Sequence, residues 1–423
     1  MKVMVVGGGG REHAIIKSVK KNPTVEKIYA LPGNGGIASD AECVNIGAKE
    51  IDKIVEFAKN EKIDFAIVAP DDPLVMGAVD ELNSVGIPCF GPTKVAAQIE
   101  GSKVFAKDLM KKYGIPTADY EVFSDAQQAL SYIEKNEKYP TVIKADGLAL
   151  GKGVIIAKDK EEAVSAVKSI MEDGMFGASG NSIVIEEFLE GPEVSVLSFT
   201  DGNTVVPMLS SMDHKRALDG DKGLNTGGMG TIAPNPYYTD EVAKECMEKI
   251  FLPTIEAMNK EGRRFKGCLY FGLMLTKKGP VVIEYNCRFG DPETQVVLPM
   301  LKTDLLDIMM AVNEERLADM NIEFEDGSCC CVIIASGGYP ESYKKGCKIR
   351  FEDGICAEVY HAGTKKEGDT LVTSGGRVLG VCVKAESLEQ AIKGAYDEVK
   401  KISFDGAFSR SDIGAKALEA KRS

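Results

Sequence analysis

The sequence predicts an α/β protein, α+β in part, and three observations carry that reading. Short apolar runs alternate with helical stretches from Lys2 to Phe90, the pattern of parallel strands joined by helical crossovers. A glycine-rich, hairpin-like unit and further apolar strands follow, and the last segment mixes strands with an amphipathic helix. At 423 residues the chain has room for roughly two to four domains with buried cores.

Lys2–Val6, Lys27–Ala30 and Phe65–Ala69 read as short strands and Ile51–Asn60 as a helix, so residues 1–102 are expected to form a Rossmann-like parallel-sheet domain. A dinucleotide fingerprint is excluded. Glu12 stands where the third glycine after Gly7 and Gly9 belongs, and the second strand runs out as Ala30-Leu31-Pro32-Gly33-Asn34 without an acid for a ribose. Gly7–Gly10, placed between a strand and a helix, still suits a phosphate, because backbone donors and the helix dipole converge there.

Phe90-Gly91-Pro92 closes this unit, and Thr93–Tyr113 reads as helical with Gly101 interrupting it. A central domain is expected over residues 103–326, with a flap subdomain at about 118–190. In the flap, the strand Tyr139–Ala145 carries Lys144, a loop covers Asp146–Gly153, and Val154–Ala157 returns. It is not a P-loop, since Gly147 and Gly151 are separated by three residues and Gly153 occupies the place of the metal-binding Ser or Thr. Gly147, Gly151 and Gly153 can nonetheless close backbone amides, together with Lys152, over a triphosphate; a flexible hairpin with solvated lysines is the bland alternative. Ser182–Leu189 is a further strand, ending in Glu186-Glu187-Phe188-Leu189 with Glu193 just beyond.

The segment VVIEYNCRFGDPETQ, Val281–Gln295, is where chemistry concentrates. Side chains alternate along a strand, so Glu284 and Asn286 share one face, and two oxygen donors on one face suit magnesium completed by substrate phosphates. Arg288 suits a carboxylate or phosphate, with an ion pair to Asp291 or Glu293 as the structural alternative. Asp291-Pro292 reads as the N-cap and first residue of a helix running toward Leu298.

RFGDPETQ, with VVGGGGREHA, PGNGG, FGPTKVAAQIEGSKVFAKDLM, VIKADGLALGKGV, IVIEEFLEGPE, DHKR and NTGGMG, resembles the glycinamide ribonucleotide synthetase family of the ATP-grasp superfamily over nearly the whole chain. The resemblance implies a two-part ATP-grasp domain in the middle of the chain and a small C-terminal α/β domain at 327–423. It implies a nucleotide pocket of Lys103, Lys144, Gly147, Gly151, Lys152, Gly153, Glu186, Leu189 and Glu193, with Glu284 and Asn286 as metal ligands. For 5-phosphoribosylamine it implies Gly9, Gly10, Arg11, Asn34 and Asp71, although Asp71 stands where the family usually has glutamate. Lys215 and Asn225 join the substrate residues, and Asp213 and Arg288 are the catalytic candidates, Asp213 for the glycine ammonium and Arg288 for an anionic group. The expected reaction ligates glycine to 5-phosphoribosylamine with ATP and Mg²⁺, or Mn²⁺ as the alternative ion, through a glycyl phosphate in purine synthesis. Another ATP-grasp carboxylate-amine ligase or carboxylase, or a non-catalytic nucleotide-binding protein, are the competing readings.

Asp213–Gly230 is too rich in glycine and charge for a core element and reads as a ligand loop. The remaining signals are supportive. Cys329–Ala335 and Val378–Val383 read as buried strands, and Ser387-x-x-Gln390 opens a helix with an apolar stripe of Leu388, Ala391, Ile392, Ala395, Val399 and Ile402. His361 reads as a structural histidine, and the active site as the work of the first two domains with the third packed against them. A formal charge of -13 argues against nucleic-acid or anionic-membrane partners and leaves small molecules. Eleven cysteines without a CxxC pair and only three histidines indicate neither a zinc site nor a disulfide framework. With no signal-peptide pattern and no membrane-length apolar run, a cytoplasmic location is expected.

Overall fold

The computed structural model describes residues 1–148 and 153–421. Its first layer is a five-stranded parallel sheet in the order β3-β2-β1-β4-β5, built from β1 (Lys2–Gly7), β2 (Lys27–Pro32), β3 (Glu42–Cys43), β4 (Phe65–Val68) and β5 (Cys89–Phe90). Both faces of β1 are covered: Met4 and Val6 enter one core cluster, Val3 and Val5 another, and all four are fully buried. That explains why β1 reads as a continuous apolar run rather than an alternating one. Helices α1 (Gly10–Val19), α2 (Ile51–Glu61), α3 (Asp71–Met76) and α4 (Ala78–Ser84) supply the crossovers.

The helical stretch after β5 breaks where Gly101 announced it. α5 (Lys94–Gly101) stops, Ser102 accepts from Phe105 N as an N-cap, and α6 (Lys103–Tyr113) starts in a new direction. The flap is an antiparallel sheet in the order β6-β9-β7-β8, formed by β6 (Tyr120–Phe123), β7 (Thr141–Ala145), β8 (Val154–Ala157) and β9 (Ile183–Glu187). Ile143, Ile183 and Ile185 pack with Ala129 and Ile133 into a core of the flap's own. This makes it a unit able to move against the rest of the chain.

A second antiparallel sheet, β11-β10-β16-β17, contains β10 (Glu193–Thr200), β11 (Val205–Pro207), β16 (Gly267–Thr276) and β17 (Gly279–Asn286). Phe271 and Tyr285 of this sheet share a core cluster with Met4 and Val6 of the parallel sheet, so the metal-strand candidate β17 is fixed to the first layer. A third sheet runs β12 (Met212–Asp213), β15 (Gly230–Ala233), β18 (Ser328–Ser336), then Arg377–Ala385 and Glu358–His361.

Three local expectations need correction. The Asp291–Pro292 peptide is cis, and the short helix begins only at Thr294, preceded by Glu293, so Asp291 is not an N-cap. Its carboxylate instead accepts from Gln295 Nε2 at 2.8 Å. The ligand loop is more regular than its composition suggested: β13 (Arg216–Leu218) and β14 (Lys222–Asn225) form a hairpin inside it. The apolar stripe of helix Leu388–Val399 ends with that helix, because Ile402 belongs to a strand paired with Arg350–Phe351.

Candidate active site

Glu284 and Asn286 lie at the end of β17, opposite Gly272 and Tyr270 of β16. Tyr285 between them is buried, whereas Glu284 keeps 34 % of its side chain exposed, so the alternation expected of the strand delivers both oxygen donors to one open side. A Cβ at residue 272 would lie 2.9 Å from Glu284 Cγ, so β16 offers a glycine, and no acid, beside this carboxylate.

Cations surround Glu284. Lys215 Nζ is 3.5 Å from its Oε1, and Lys215, followed by Lys144, Lys103 and Arg288, pulls its carboxyl down to about 2. Such a group is ionised at any physiological pH and already attracts positive charge. Among the described residues no cluster of three or more His, Cys, Asp or Glu forms a self-sufficient metal cage. An ionised carboxylate and one amide oxygen fit a magnesium ion that takes its other ligands from phosphates, and the surrounding ammonium groups suit those phosphates.

Lys103 opens α6 and donates to Gly147 O at 2.7 Å, which ties the flap loop to the helix. Lys144 on β7 donates to Ile283 O at 3.1 Å and lies 3.0 Å from Glu186 Oε1. That carboxylate is 4 % exposed, and its Oε1 has no aligned hydrogen-bond donor. Glu193, at the start of β10, shares Lys215 with Glu284 at 3.6 Å, and Leu189 lies in the turn between β9 and β10. Gly153 borders the flap strand β8; Gly151 and Lys152 fall outside the described residues.

Arg288 is held by acids that no local reading could supply: Glu100 Oε1 at 3.1 Å and Asp71 Oδ2 at 3.8 Å, in place of Asp291 or Glu293. Its Nη2 also donates to Asn286 Oδ1 at 3.1 Å, while its buried Nε has no hydrogen-bond partner among the described residues. Arg288 lowers the Asp71 carboxyl, whereas burial raises that of Glu100. The next residue, Phe289, is wedged between Phe90 and Phe199 at ring distances of 5.9 and 6.0 Å. Burial of such a ring, worth about 2–3 kcal/mol, anchors the turn that carries Arg288.

The glycine loop meets this turn directly. Arg11 Nη1 donates to Phe289 O at 2.9 Å, and Arg11 Nε pairs with Glu12, which also accepts from Gly9 N at 2.6 Å. Glu12, the residue that broke the dinucleotide fingerprint, thus closes the loop from the third helical position. A Cβ at residue 10 would come within 2.6 Å of Gln295 Nε2, so a larger residue there would have to displace that amide from its place beside α1. Asn34 is largely occupied with structure: its Nδ2 donates to Gly8 O and His361 O, and its Oδ1 accepts from Gly36 N and Ile37 N.

Asp213 is pushed well up by burial and by the Glu293 carboxylate, so it has room to ionise further when a cation arrives. Asn225 ends β14, opposite Arg216.

The C-terminal segment does more than pack. A cavity of about 400 Å³ opens between Gly8–Gly9 and Asn34 on one side and Gly363–Thr364, Ser374 and Arg377 on the other, with Asp291 on its wall. Arg377 donates to Gly227 O and Asp291 O, each at 2.7 Å, and so ties the ligand loop to the Arg288 turn. Sequence reading missed Arg377; the only signal was its place beside Gly375-Gly376. The C-terminal residues also brace the hairpin: Arg410, 2 % exposed, pairs with Asp221 and Asp412, and Gly414 N donates to His214 Nε2 at 3.1 Å. His361 donates its backbone N–H to His13 Nδ1 at 2.8 Å and sets its ring against Gly36, where a Cβ would overlap it, while its buried Nδ1 has no hydrogen-bond partner among the described residues.

Comparison with known proteins agrees with this architecture. The family descriptions "Phosphoribosylglycinamide synthetase, N domain", "ATP-grasp (A) domain" and "C domain" match residues 1–100, 101–294 and 329–416. Phosphoribosylamine–glycine ligase of Caldanaerobacter subterraneus subsp. tengcongensis is 52 % identical over 98 % of this chain and 100 % of its own. That of Clostridium acetobutylicum is 48 % identical over 98 % and 99 %. The crystal structure of phosphoribosylamine–glycine ligase from Thermotoga maritima superimposes with a TM-score of 0.85 at 33 % identity, covering 98 % of this chain and 100 % of that one. Fold and site together define an ATP-grasp enzyme, a ligase that forms a C–N bond. The chain belongs to the phosphoribosylglycinamide synthetase family.

Proposed function

We propose that this chain joins glycine to 5-phosphoribosylamine in de novo purine synthesis, converting ATP to ADP and phosphate. The observation that carries the reading is the contact of Arg11 Nη1 with Phe289 O, which sets the glycine-loop cavity beside the turn following the metal strand. An amine held by Gly9, Gly10, Arg11, Asn34 and Asp71 would thus meet a carboxyl activated over Glu284.

In the proposed sequence a carboxylate oxygen of glycine attacks the γ-phosphorus, the bond to ADP breaks, and a glycyl phosphate results. The amine nitrogen then attacks the carbonyl carbon, phosphate leaves, and the nitrogen loses a proton. No protein nucleophile is needed, so the residues align reactants and balance charge. Lys103, Lys144, Gly147, Gly151, Lys152 and Gly153 enclose the triphosphate, with Leu189 and Glu193 at the nucleoside end and Glu186 completing the pocket beside Lys144. Asp213 takes the glycine ammonium, which favours its ionised form, and Arg288 presents its free Nε to the developing anion; Lys215 and Asn225 close the substrate side. A divalent ion on Glu284 and Asn286 supplies charge neutralisation for the transferred phosphoryl group, magnesium first and manganese as the alternative. The division of labour follows domains at 1–102, 103–326 and 327–423.

Among the described residues no helix is long and apolar enough to cross a membrane, and the substrates are small polar molecules, which supports a cytoplasmic site of action. The test is ADP release with magnesium, glycine and phosphoribosylamine generated in place from ribose 5-phosphate and ammonia, omitting each in turn. Turnover is expected only when all are present; ATP binding without such turnover would overturn the reading.

A further inference from the structure

We propose that Lys107 is a positioning residue for nucleotide binding, acting through Glu186 to hold the ammonium of Lys144; this rests on the reading of Lys144 as a phosphate contact. Lys107 lies one helical turn beyond Lys103 on the same face of α6 and is 2 % exposed, its ammonium turned to protein partners. Its Nζ is 3.0 Å from Glu186 Oε2 and donates to Thr117 Oγ1 at 2.8 Å. Lys144 takes the other oxygen of the same carboxylate, also at 3.0 Å.

The two lysines share an anchor as well as a partner. Thr117 Oγ1 passes the hydrogen bond on to Val282 O at 2.8 Å, and Lys144 donates to the neighbouring carbonyl, Ile283 O. Both ammonium groups therefore hang from consecutive carbonyls of β17, the strand that ends in Glu284 and Asn286. α6, the flap strands β7 and β9, and β17 are joined at one point, and Glu186 is the element common to both lysines.

A buried carboxylate must have its charge and lone pairs matched. With Lys107 present, one oxygen is assigned to each lysine and Lys144 stays directed toward the triphosphate side. Without it, Glu186 has Lys144 as its sole ammonium partner in this cluster, and the carboxylate draws that ammonium back. Burial lowers Lys107 toward about 8, consistent with a cation kept there by Glu186 rather than by solvent.

Calorimetric titration of the full chain with MgATP and with adenosine tests this, for Lys107→Met, Lys144→Met and the double variant. Lys107→Met is expected to weaken MgATP about tenfold and adenosine less than about twofold, with no added loss when Lys144 is already methionine. Equal losses for both ligands, or a full loss persisting in the Lys144→Met background, would overturn the proposal. If Lys144→Met weakens MgATP and Lys107→Met does not, the positioning role alone falls. If Lys144→Met leaves MgATP binding unchanged, the phosphate-contact reading falls and the proposal with it. Lys107→Gln, which keeps a donor near Glu186 without the charge, covers failure of the methionine variant to fold; it is expected to weaken MgATP about threefold, and parent affinity would count against the proposal.

Discussion

Arg288 Nη2 faces Glu100 Oε1 at 3.1 Å, so the arginine proposed for the reaction is held by α5. Glu100 Oε2 also accepts from Cys287 N at 2.7 Å, which makes this carboxylate the seat of the whole turn. One end of the guanidinium is fixed, and the buried Nε has no hydrogen-bond partner among the described residues.

Arg288→Lys should therefore keep the charge opposite Glu100 and lose the planar fork. Catalytic efficiency is expected to fall about 100-fold, a loss of about 2.7 kcal/mol in transition-state binding. The thermal midpoint should move by only a few degrees. Efficiency within about twofold of the parent in steady-state assays would remove Arg288 from the mechanism.

For Glu284→Ala, the carboxylate lost is one third exposed and Lys215 retains Glu193, so the fold should survive. We expect kcat to drop by about 10²–10³ and the half-saturating magnesium concentration to rise. Magnesium titration at saturating ATP reads both, and unfolding of the variant would show a structural role instead.

Arg377→Ala removes the donor that joins Gly227 O to Asp291 O. Both loops that carry substrate residues lose their common tie. The Michaelis constants for glycine and phosphoribosylamine are expected to rise about tenfold while ATP affinity holds, because among the described residues none of the proposed ATP-pocket residues hydrogen-bonds or pairs with Arg377. Comparing the three constants in one assay decides the matter.

Burial depresses all three histidines, His361 to about 3, His214 to about 4, and His13 below its ordinary value. His361 and His214 stay neutral in the folded chain, His13 is less readily protonated than usual, and all three take up protons near pH 6.5 when it unfolds. The unfolded state then binds more protons below pH 6.5, so stability is lost as pH falls through that value, by up to about 1.4 kcal/mol per pH unit for each histidine. Urea unfolding between pH 7.5 and 5 should show this slope. In His361→Phe, where the ring stays against Gly36 but cannot titrate, it should shrink by about a third to a half.

The parallel sheet, the break after Gly101 and the faces of Glu284 and Asn286 were legible because each is set by local patterns: continuous apolar strands, a glycine with a following N-cap, and strand alternation. Arg288 stands out in the sequence as a candidate, but its partners Glu100 and Asp71 come from another layer and leave no local trace. Arg377 was invisible for the same reason, since its guanidinium matters only once the third sheet brings it to Gly227 and Asp291. Asp291-Pro292 misled because acid-proline at a helix start is the commoner use of that pair, and here the peptide is cis. Lys107 reads as one more helical lysine until β9 places Glu186 beside it.

The bracing of the ligand hairpin by Arg410 and Gly414 joins residues far apart in the chain, with His214 and Gly414 separated by 200 positions. Ordering of that hairpin and docking of the chain's last segment are consequently one cooperative event. Amide exchange in β13 and β14 should track exchange around residues 410–416 rather than that of the flap. Cleavage of the backbone just before Arg410 would free the substrate hairpin while leaving the nucleotide pocket assembled, producing a protein that grips ATP without a reaction to use it in.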